Sequence, residues 1–98
     1  MARTLDPHLV IFYMYVLRSK KDKDFYIGST NNLQRRFKEH NAGDVQSTKP
    51  RGSFSLLYYE AYSAEEDARK REHQLKLRGR AFAQLRRRIS TSLRQDED

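Results

Sequence analysis

Hydrophobic residues fall into three short runs that have the composition of β-strands. An unbroken apolar run covers residues 10–17, and the tripeptide 25–27 follows it after a charged turn. Two such runs joined by a short polar turn predict an antiparallel hairpin. A third strand is predicted over 54–62, where leucine and tyrosine are frequent. Because the first run does not alternate with polar residues, it favours a strand that is covered on both faces.

Helical spacing appears after the second strand and again after the third. Leu33 and Phe37 lie four residues apart in a segment that ends near Gly43, and polar residues ahead of it supply candidate N-caps. Two more helices are predicted over 63–78 and 80–89. The predicted order is β-β-α-β-α-α, which is typical of an α+β domain with a small antiparallel sheet covered by helices.

The length of 98 residues suits one compact domain. We place this domain at residues 10–89, where the predicted strands and helices lie. Residues 1–9 are predicted to form a flexible lead-in, because they are polar and precede the first strand. Residues 90–98 are predicted to form a disordered polar tail with an acidic end.

Lysine and arginine outnumber aspartate and glutamate by 20 to 13, which gives a net charge of +7. Such a charge on a small domain favours a polyanionic partner, although it also serves solubility alone. The sequence has no cysteine, which excludes a disulfide scaffold and a cysteine-ligated metal site and fits a cytoplasmic protein. No apolar stretch reaches the roughly 18–20 residues of a membrane span, and no signal peptide is evident, so we expect no membrane partner.

Glu72 lies on the inward stripe of the predicted helix over 63–78. It is four residues after Ala68 and three before Leu75, so the three side chains share one helix face. An ionised carboxylate that faces the core is costly unless it is paired, hydrogen-bonded or bound to a cation. One interpretation is a metal ligand or a general base. The other is a salt bridge, or a position at the edge of the stripe that reaches solvent.

Two further pairs of residues carry candidate chemistry. Arg36 and His40 are one helical turn apart and have the spacing to reach a single phosphate, although a solvated helix face has the same spacing. Tyr15 and Tyr26 lie on consecutive strands and can approach each other across the hairpin. Two phenols beside a charged helix suggest an acid–base centre, and strand aromatics that serve only the core are the alternative.

These features occur in an order that resembles the GIY-YIG nuclease family. The second half of the family name is present as Tyr26-Ile27-Gly28, and the first half aligns with Tyr13-Met14-Tyr15, of which only the final tyrosine is retained. Residues 29–40 are similar to the family's helix, with its arginine and, four residues later, its histidine. Residues 71–76 are similar to the segment that bears the family's acidic metal ligand. The resemblance covers about 12–89 and is to the small single-domain bacterial branch, which is similar to the catalytic module of the excision-repair incision subunit.

The resemblance implies a three-stranded antiparallel sheet flanked by helices and a set of five catalytic residues. Glu72 would bind one divalent cation, Mg²⁺ or Mn²⁺, because Mg²⁺ takes few protein ligands and keeps most of its waters. Arg36 would hold the scissile phosphate and stabilise charge in the transition state. Tyr15 would help to activate the attacking water, and Tyr26 would position it. His40 would assist Tyr15 or transfer the proton itself, so the general base is either Tyr15 or His40.

Substrate binding would rest on basic residues around this site. Arg35, Lys49 and Arg51 would contact phosphates without reading sequence, and the last two lie in a predicted exposed basic loop over 44–53. Gly28 would let the backbone come close to the site. The expected partner is DNA, or RNA, bound through a basic face, together with a targeting or repair protein of unspecified identity.

The sequence therefore predicts a metal-dependent endonuclease that hydrolyses phosphodiester bonds in DNA. Cleavage would follow nucleic-acid structure rather than sequence, because no base-reading module is evident, and it would serve repair or DNA processing. A non-catalytic nucleic-acid-binding module that keeps the nuclease fold is the alternative, and a protein directed at RNA is the third hypothesis. The presence of all five catalytic residues of the family favours an enzyme, because a binding module needs the basic surface but not an inward carboxylate at Glu72.

Overall fold

The centre of the molecule is a three-stranded antiparallel sheet. A computed structural model of the protein describes residues 9–97, so most of the predicted lead-in over 1–9 lies outside the described residues. Strand β1 (Phe12–Ser19) lies between β2 (Phe25–Thr30) and β3 (Phe54–Tyr62), and both neighbours run antiparallel to it. The α+β class and the three-stranded sheet are therefore confirmed.

Helices complete the described part of the chain. They are α1 (Leu33–Ala42), a 3₁₀ turn (Lys49–Arg51), α2 (Glu65–Lys76), α3 (Arg80–Arg88) and α4 (Ser90–Glu97). The order is β-β-α-β-α-α-α, which has one α-helix more than predicted. Within residues 9–97, no helix combines the length and the apolar character needed to cross a membrane.

The alternation of side chains along β1 divides the core into two layers. Met14 and Val16 point to the face that α2 and α3 cover, whereas Tyr15 and Leu17 point to the face that α1 covers. The buried residues of the first layer are Met14, Val16, Phe25, Ile27, Leu75, Phe82, Leu85 and Ile89. Those of the second layer are Tyr15, Leu17 and Phe54, against which Tyr26, Leu33 and Phe37 pack. Helices thus cover the sheet on both faces, as the unbroken apolar run predicts.

Helix α1 begins and ends at residues suited to those positions. Asn32 is the N-cap, and its side-chain oxygen accepts a hydrogen bond from a first-turn amide at 3.1 Å. Gly43 ends the helix with a φ of 78°, in the left-handed region that favours glycine. Between these caps, Leu33, Phe37 and His40 follow the spacing i, i+4, i+7, so His40 lies on the inward face of the helix.

An ion pair anchors α2 to β3 next to the predicted metal ligand. Nε of Arg71 donates to Oε1 of Glu60 at 3.0 Å, and the Tyr58 hydroxyl donates to the same carboxylate at 2.7 Å. The Arg71 and Glu60 side chains are mostly buried, at 22% and 18% exposure. Because Arg71 directly precedes Glu72, this contact fixes that turn of α2 against the sheet.

The C-terminal segment is a helix rather than the predicted disordered tail. Helix α4 occupies all but the last residue of the segment 90–98. Leu93 packs against the first core layer, and the guanidinium of buried Arg18 lies 3.3 Å from the Glu97 carboxylate and 3.9 Å from that of Asp96. An apolar contact and the pairing of a buried cation therefore order a segment whose composition is polar.

Two smaller differences lie close to the candidate site. The loop predicted to be exposed over 44–53 is partly internal, because Val45 and Thr48 are buried. Strand β2 was predicted to end at residue 27, but it continues past Gly28 to Thr30. Gly28 therefore pairs within the sheet, opposite Tyr15, instead of closing the strand.

Candidate active site

Three aromatic rings pack together between α1 and the sheet. The Tyr15 hydroxyl lies 2.9 Å from Nε2 of His40, and both residues are 1% exposed. The Tyr26 ring centroid is 6.3 Å from that of Tyr15 and 4.8 Å from that of His40. The hairpin thus brings the two tyrosines together, and α1 adds the imidazole to them.

Gly28 leaves space for the Tyr15 phenol. A Cβ atom at this position would lie 2.5 Å from Oη of Tyr15, 2.7 Å from Cζ of the same ring and 3.0 Å from Cε2 of Tyr26. These separations are shorter than van der Waals contact, so no side chain fits while the phenol keeps its position. The close approach predicted at Gly28 is therefore an approach of the phenol to the backbone.

We predict that Gly28→Ala lowers the free energy of unfolding by about 1–3 kcal/mol, because the added methyl group overpacks a filled site. The comparison variant is Gly79→Ala, where a Cβ meets nothing within 4 Å but the backbone, at φ −95° and ψ −140°, lies outside the regions that alanine favours. That variant should cost about 1 kcal/mol, from the backbone and the N-cap alone, because no atom overpacks the added methyl group. Urea unfolding of both variants provides the measurement, and equal losses would contradict this account of Gly28.

Burial keeps both members of the Tyr15–His40 pair uncharged at neutral pH. Burial, assisted by neighbouring Tyr26, raises the pKa of Tyr15 to about 12, and the nearby Arg36 guanidinium opposes this shift only in part. Burial, assisted by the Arg36 charge, lowers the pKa of His40 to about 4. The contact at 2.9 Å is consequently a hydrogen bond between a neutral phenol and a neutral imidazole.

Arg36 lies beside the phenol, at the boundary with solvent. Its side chain is 36% exposed, and Nη1 lies 3.2 Å from Oε1 of Glu39, three residues further along the helix. Its guanidinium influences the pKa of Tyr15 both as a hydrogen-bond donor and as a charge. Arg36 and His40 do not share one open anion site as their spacing suggested, because the imidazole is buried and faces Tyr15.

Glu72 projects from α2 towards β2 and reaches solvent at its edge. The Ser29 hydroxyl donates to Oε1 at 2.6 Å, and Nζ of Lys76 lies 2.6 Å from Oε2. The side chain is 19% exposed, and its charge is among the influences that raise the pKa of Tyr15. Glu72 is thus a paired carboxylate near the phenol, and its salt bridge is with a lysine one turn further along the helix.

The residues around Glu72 fit a cation that brings most of its own ligands. Within residues 9–97, no group of three or more histidine, aspartate or glutamate side chains is placed to enclose a metal. A depression lined by Ser29, Arg69, Glu72, His73 and Lys76 leaves the carboxylate accessible. The Lys76 ammonium lies 2.6 Å from Oε2, so a metal ion at that oxygen would take the place of the ammonium. A single hard oxygen ligand with room for water suits Mg²⁺ or Mn²⁺ rather than a metal that needs a protein cage.

The three predicted phosphate-binding residues differ in their availability. Arg35 is 62% exposed and lies 4.0 Å from Glu39, a weak surface pair. Lys49 is exposed on the 3₁₀ turn. Arg51 is 21% exposed, lies 3.5 Å from Asp22, and so is held within the protein. Arg35 and Lys49 are therefore the more accessible cations of the set.

Two hydroxyl residues of the site were absent from the sequence-based prediction. Ser29 holds Glu72, and Thr48 places its Oγ1 2.8 Å from Nδ1 of His40. Ser29 and Glu72 are 43 residues apart in the chain, so no local spacing relates them. The position of Ser29 directly after Tyr26-Ile27-Gly28 was the one available signal.

Several proteins of known sequence or structure are similar to this chain. It is 40% identical to a UPF0213 protein of Clostridium perfringens over 65 residues, which are 65% of this chain and 69% of that protein. It is 41% identical to a UPF0213 protein of Pediococcus pentosaceus over 71 residues, or 71% of this chain and 74% of that protein. The solution NMR structure of a UPF0213 protein from Bacillus halodurans is 32% identical, with a TM-score of 0.48, and the match covers 76% of this chain and 80% of that one.

A family model extends over nearly all of the fold described above. The model for the GIY-YIG catalytic domain matches residues 11–91. The matched region includes the whole sheet and helices α1 to α3. It also includes all five residues to which the sequence assigned catalytic roles: Tyr15, Tyr26, Arg36, His40 and Glu72. The chain therefore belongs to the GIY-YIG family of catalytic domains, which is a nuclease family.

Proposed function

We propose that this protein is a metal-dependent endonuclease that hydrolyses phosphodiester bonds in DNA, with a preference set by nucleic-acid structure, in repair or DNA processing. The observation that carries the proposal is that side chains from β1, α1 and α2 meet beside Gly28 of β2. There the Tyr15 phenol lies over the backbone, Arg36 borders it from α1, and Ser29 holds the Glu72 carboxylate from the next position of β2.

Glu72 is the residue that would hold the divalent cation. When bound, the cation would polarise the scissile phosphate and stabilise the leaving oxygen. Ser29 fixes the orientation of the carboxylate through a hydrogen bond of 2.6 Å, as groups behind a metal ligand commonly do. Arg36 would bind a phosphate oxygen and stabilise the negative charge that develops in the transition state.

Tyr15 is the group that would contact the attacking water. Both ring nitrogens of His40 are engaged, Nε2 by Tyr15 and Nδ1 by Thr48, so the imidazole reaches a water only through the phenol. With its proton directed to His40, the phenol oxygen keeps lone pairs that can accept a hydrogen bond from the water. His40 would then take up the phenol proton as charge develops, and Tyr26 packs against both rings to hold them.

A second candidate function is nucleic-acid binding without cleavage. The observation that favours it is the ion pair of Glu72 with Lys76 at 2.6 Å, which already compensates the carboxylate charge. In that case the net charge of +7 accounts for affinity, and the contact between the rings of Tyr15 and Tyr26 is a packing feature.

A cleavage assay separates the two functions. Purified protein is incubated with supercoiled, single-stranded and branched DNA in the presence of Mg²⁺, Mn²⁺ or a chelator. We expect nicking that requires a divalent cation and that differs among the three DNA structures. Binding without metal-dependent cleavage of any substrate would exclude the nuclease proposal and support the binding function.

Neighbouring arginines on α1 provide a sharper test of the catalytic assignment. Arg36→Ala is predicted to lower kcat by about 100-fold, because it removes a donor that stabilises transition-state charge. Arg35→Ala removes an exposed cation, and we expect a higher KM and a nearly unchanged kcat. The slope of log affinity against log salt concentration should also fall by about one. Steady-state kinetics at several salt concentrations gives both readouts. The same effect in both variants would contradict the separate roles.

A further inference from the structure

Thr48 is a fully buried hydroxyl residue that faces the imidazole of His40 from the side opposite Tyr15. Its exposure is 0%, its Oγ1 lies 2.8 Å from Nδ1 of His40, and its hydroxyl donates to the Val45 carbonyl at 3.4 Å. The Tyr15 hydroxyl lies 2.9 Å from Nε2 on the other side of the ring. Thr48, His40 and Tyr15 therefore form a continuous hydrogen-bonded chain inside the protein.

The direction of this chain follows from counting protons. A neutral imidazole has one nitrogen that donates and one that accepts. If Nδ1 carries the proton, it donates to Thr48, the Thr48 proton goes to the Val45 carbonyl, and the Tyr15 proton goes to Nε2. In this direction every proton of the chain has an acceptor within hydrogen-bond distance.

The opposite direction leaves a buried donor without a partner. If Nε2 carried the proton, it would donate to the phenol oxygen, and the phenol proton would have to point elsewhere. Tyr15 is 1% exposed, and within residues 9–97 no protein acceptor other than Nε2 of His40 lies within hydrogen-bond distance of its hydroxyl. The Arg36 guanidinium beside it can only donate. An unsatisfied buried hydroxyl costs more than the long bond of 3.4 Å that the first direction requires at Val45.

We propose that Thr48 is a positioning residue that holds His40 in the Nδ1–H form, so that the Tyr15 proton is directed to Nε2 and the phenol lone pairs are left for the substrate side. Its influence on cleavage rests on the proposed nuclease function, whereas its influence on the imidazole does not. Thr48 touches neither water nor DNA in this role. It acts through His40 on Tyr15.

The test measures the imidazole directly, without substrate. In protein labelled with ¹⁵N on histidine, the nitrogen shifts and the couplings to the ring protons identify which nitrogen carries the proton. We expect His40 to be protonated at Nδ1 and unprotonated at Nε2 at neutral pH. Protonation at Nε2 in the wild-type protein would overturn the proposal, whether or not the protein cleaves DNA.

Three variants complete the experiment. Thr48→Val removes the acceptor at Nδ1 while keeping the shape, and we expect a detectable Nε2–H population and a kcat lowered by about 10- to 100-fold at unchanged KM. Thr48→Ser restores a hydroxyl and should restore both readouts towards wild type. Ser47→Ala, at the exposed neighbouring position, is the control that should change neither.

The outcomes distinguish this proposal from the proposed function. If Thr48→Val has the same imidazole form and kcat as wild type, Thr48 has no positioning role. If no variant cleaves DNA but the Nδ1–H form is present and shifts in Thr48→Val, the positioning role stands and the nuclease proposal fails. Should Thr48→Val not fold, Thr48→Ala, which adds no atoms, is measured in the same way and judged by the same outcomes.

Discussion

Glu72→Gln is expected to reduce metal-dependent DNA cleavage by about 100- to 1,000-fold, the range found when one group that stabilises transition-state charge is removed. Glutamine keeps the size of the side chain and can still accept the Ser29 hydrogen bond. It lacks the negative charge that attracts a divalent cation. The loss should therefore appear as a weaker dependence of the residual rate on Mg²⁺ or Mn²⁺ concentration, measured in a nicking assay with supercoiled DNA.

The same helix offers a matched control for this substitution. Glu66 pairs with Lys70 at 3.4 Å with the spacing that Glu72 has with Lys76, but its side chain is 78% exposed and its partner is equally accessible. Glu66→Gln should leave the cleavage rate unchanged. Surface pairs with this spacing contribute only about 0.3–0.5 kcal/mol, so Glu66→Gln should not unfold the protein. Glu72→Gln should also remain folded, because glutamine has the size of glutamate and keeps the Ser29 hydrogen bond. Equal activity of Glu72→Gln and Glu66→Gln would remove Glu72 from the catalytic set.

The fold could be predicted from the sequence wherever an apolar run or a helical spacing of apolar residues was strong. The runs at 10–17 and 54–62 gave two of the three strands, and Leu33 with Phe37 gave the inward face of α1. Helix α4 could not be predicted in this way, because its order depends on a contact between Leu93 and the core and on the pairing of Arg18 with Glu97, 79 positions away. Such contacts exist only after the sheet and helices have assembled.

In the candidate site, too, local spacing could be read from the sequence, whereas contacts between distant segments could not. Motif spacing, which relates residues within one hairpin or one helix, predicts the set Tyr15, Tyr26, Arg36, His40 and Glu72. The spacing nevertheless groups His40 with Arg36 on a face next to that of Leu33 and Phe37, although its position seven residues after Leu33 indicates the inward face. Ser29 and Thr48 act across the fold, and a single hydroxyl in a polar segment carries no signal of a buried partner.

His40 is expected to make the stability of the protein depend on pH above the range in which carboxylates titrate. Its pKa is about 4 in the folded protein, against an ordinary value of 6.5. Because the unfolded chain binds the proton more readily, the contribution is fully present above pH 6.5. It is lost as the pH falls from 6.5 towards 4. The charge of Arg36 acts in the same sense as burial, and that of Glu39 opposes it.

The difference between the two pKa values corresponds to about 3 kcal/mol, of which about 2 kcal/mol should be lost between about pH 7.5 and about pH 5. Urea unfolding at these two pH values gives the change in the free energy of unfolding. The interval ends above the range in which most carboxylates take up protons, so it isolates the imidazole.

Two histidine variants decide whether His40 is the source of this dependence. His40→Gln, which retains groups that can accept from Tyr15 and donate to Thr48, should show a difference between the two pH values that is smaller by about 2 kcal/mol. His73→Gln removes an exposed imidazole on α2 and should retain the wild-type difference. If His40→Gln keeps the full pH dependence, the imidazole takes up its proton equally well in the folded and unfolded states. The neutral pair with Tyr15, on which the direction of the proton chain depends, would then be incorrect.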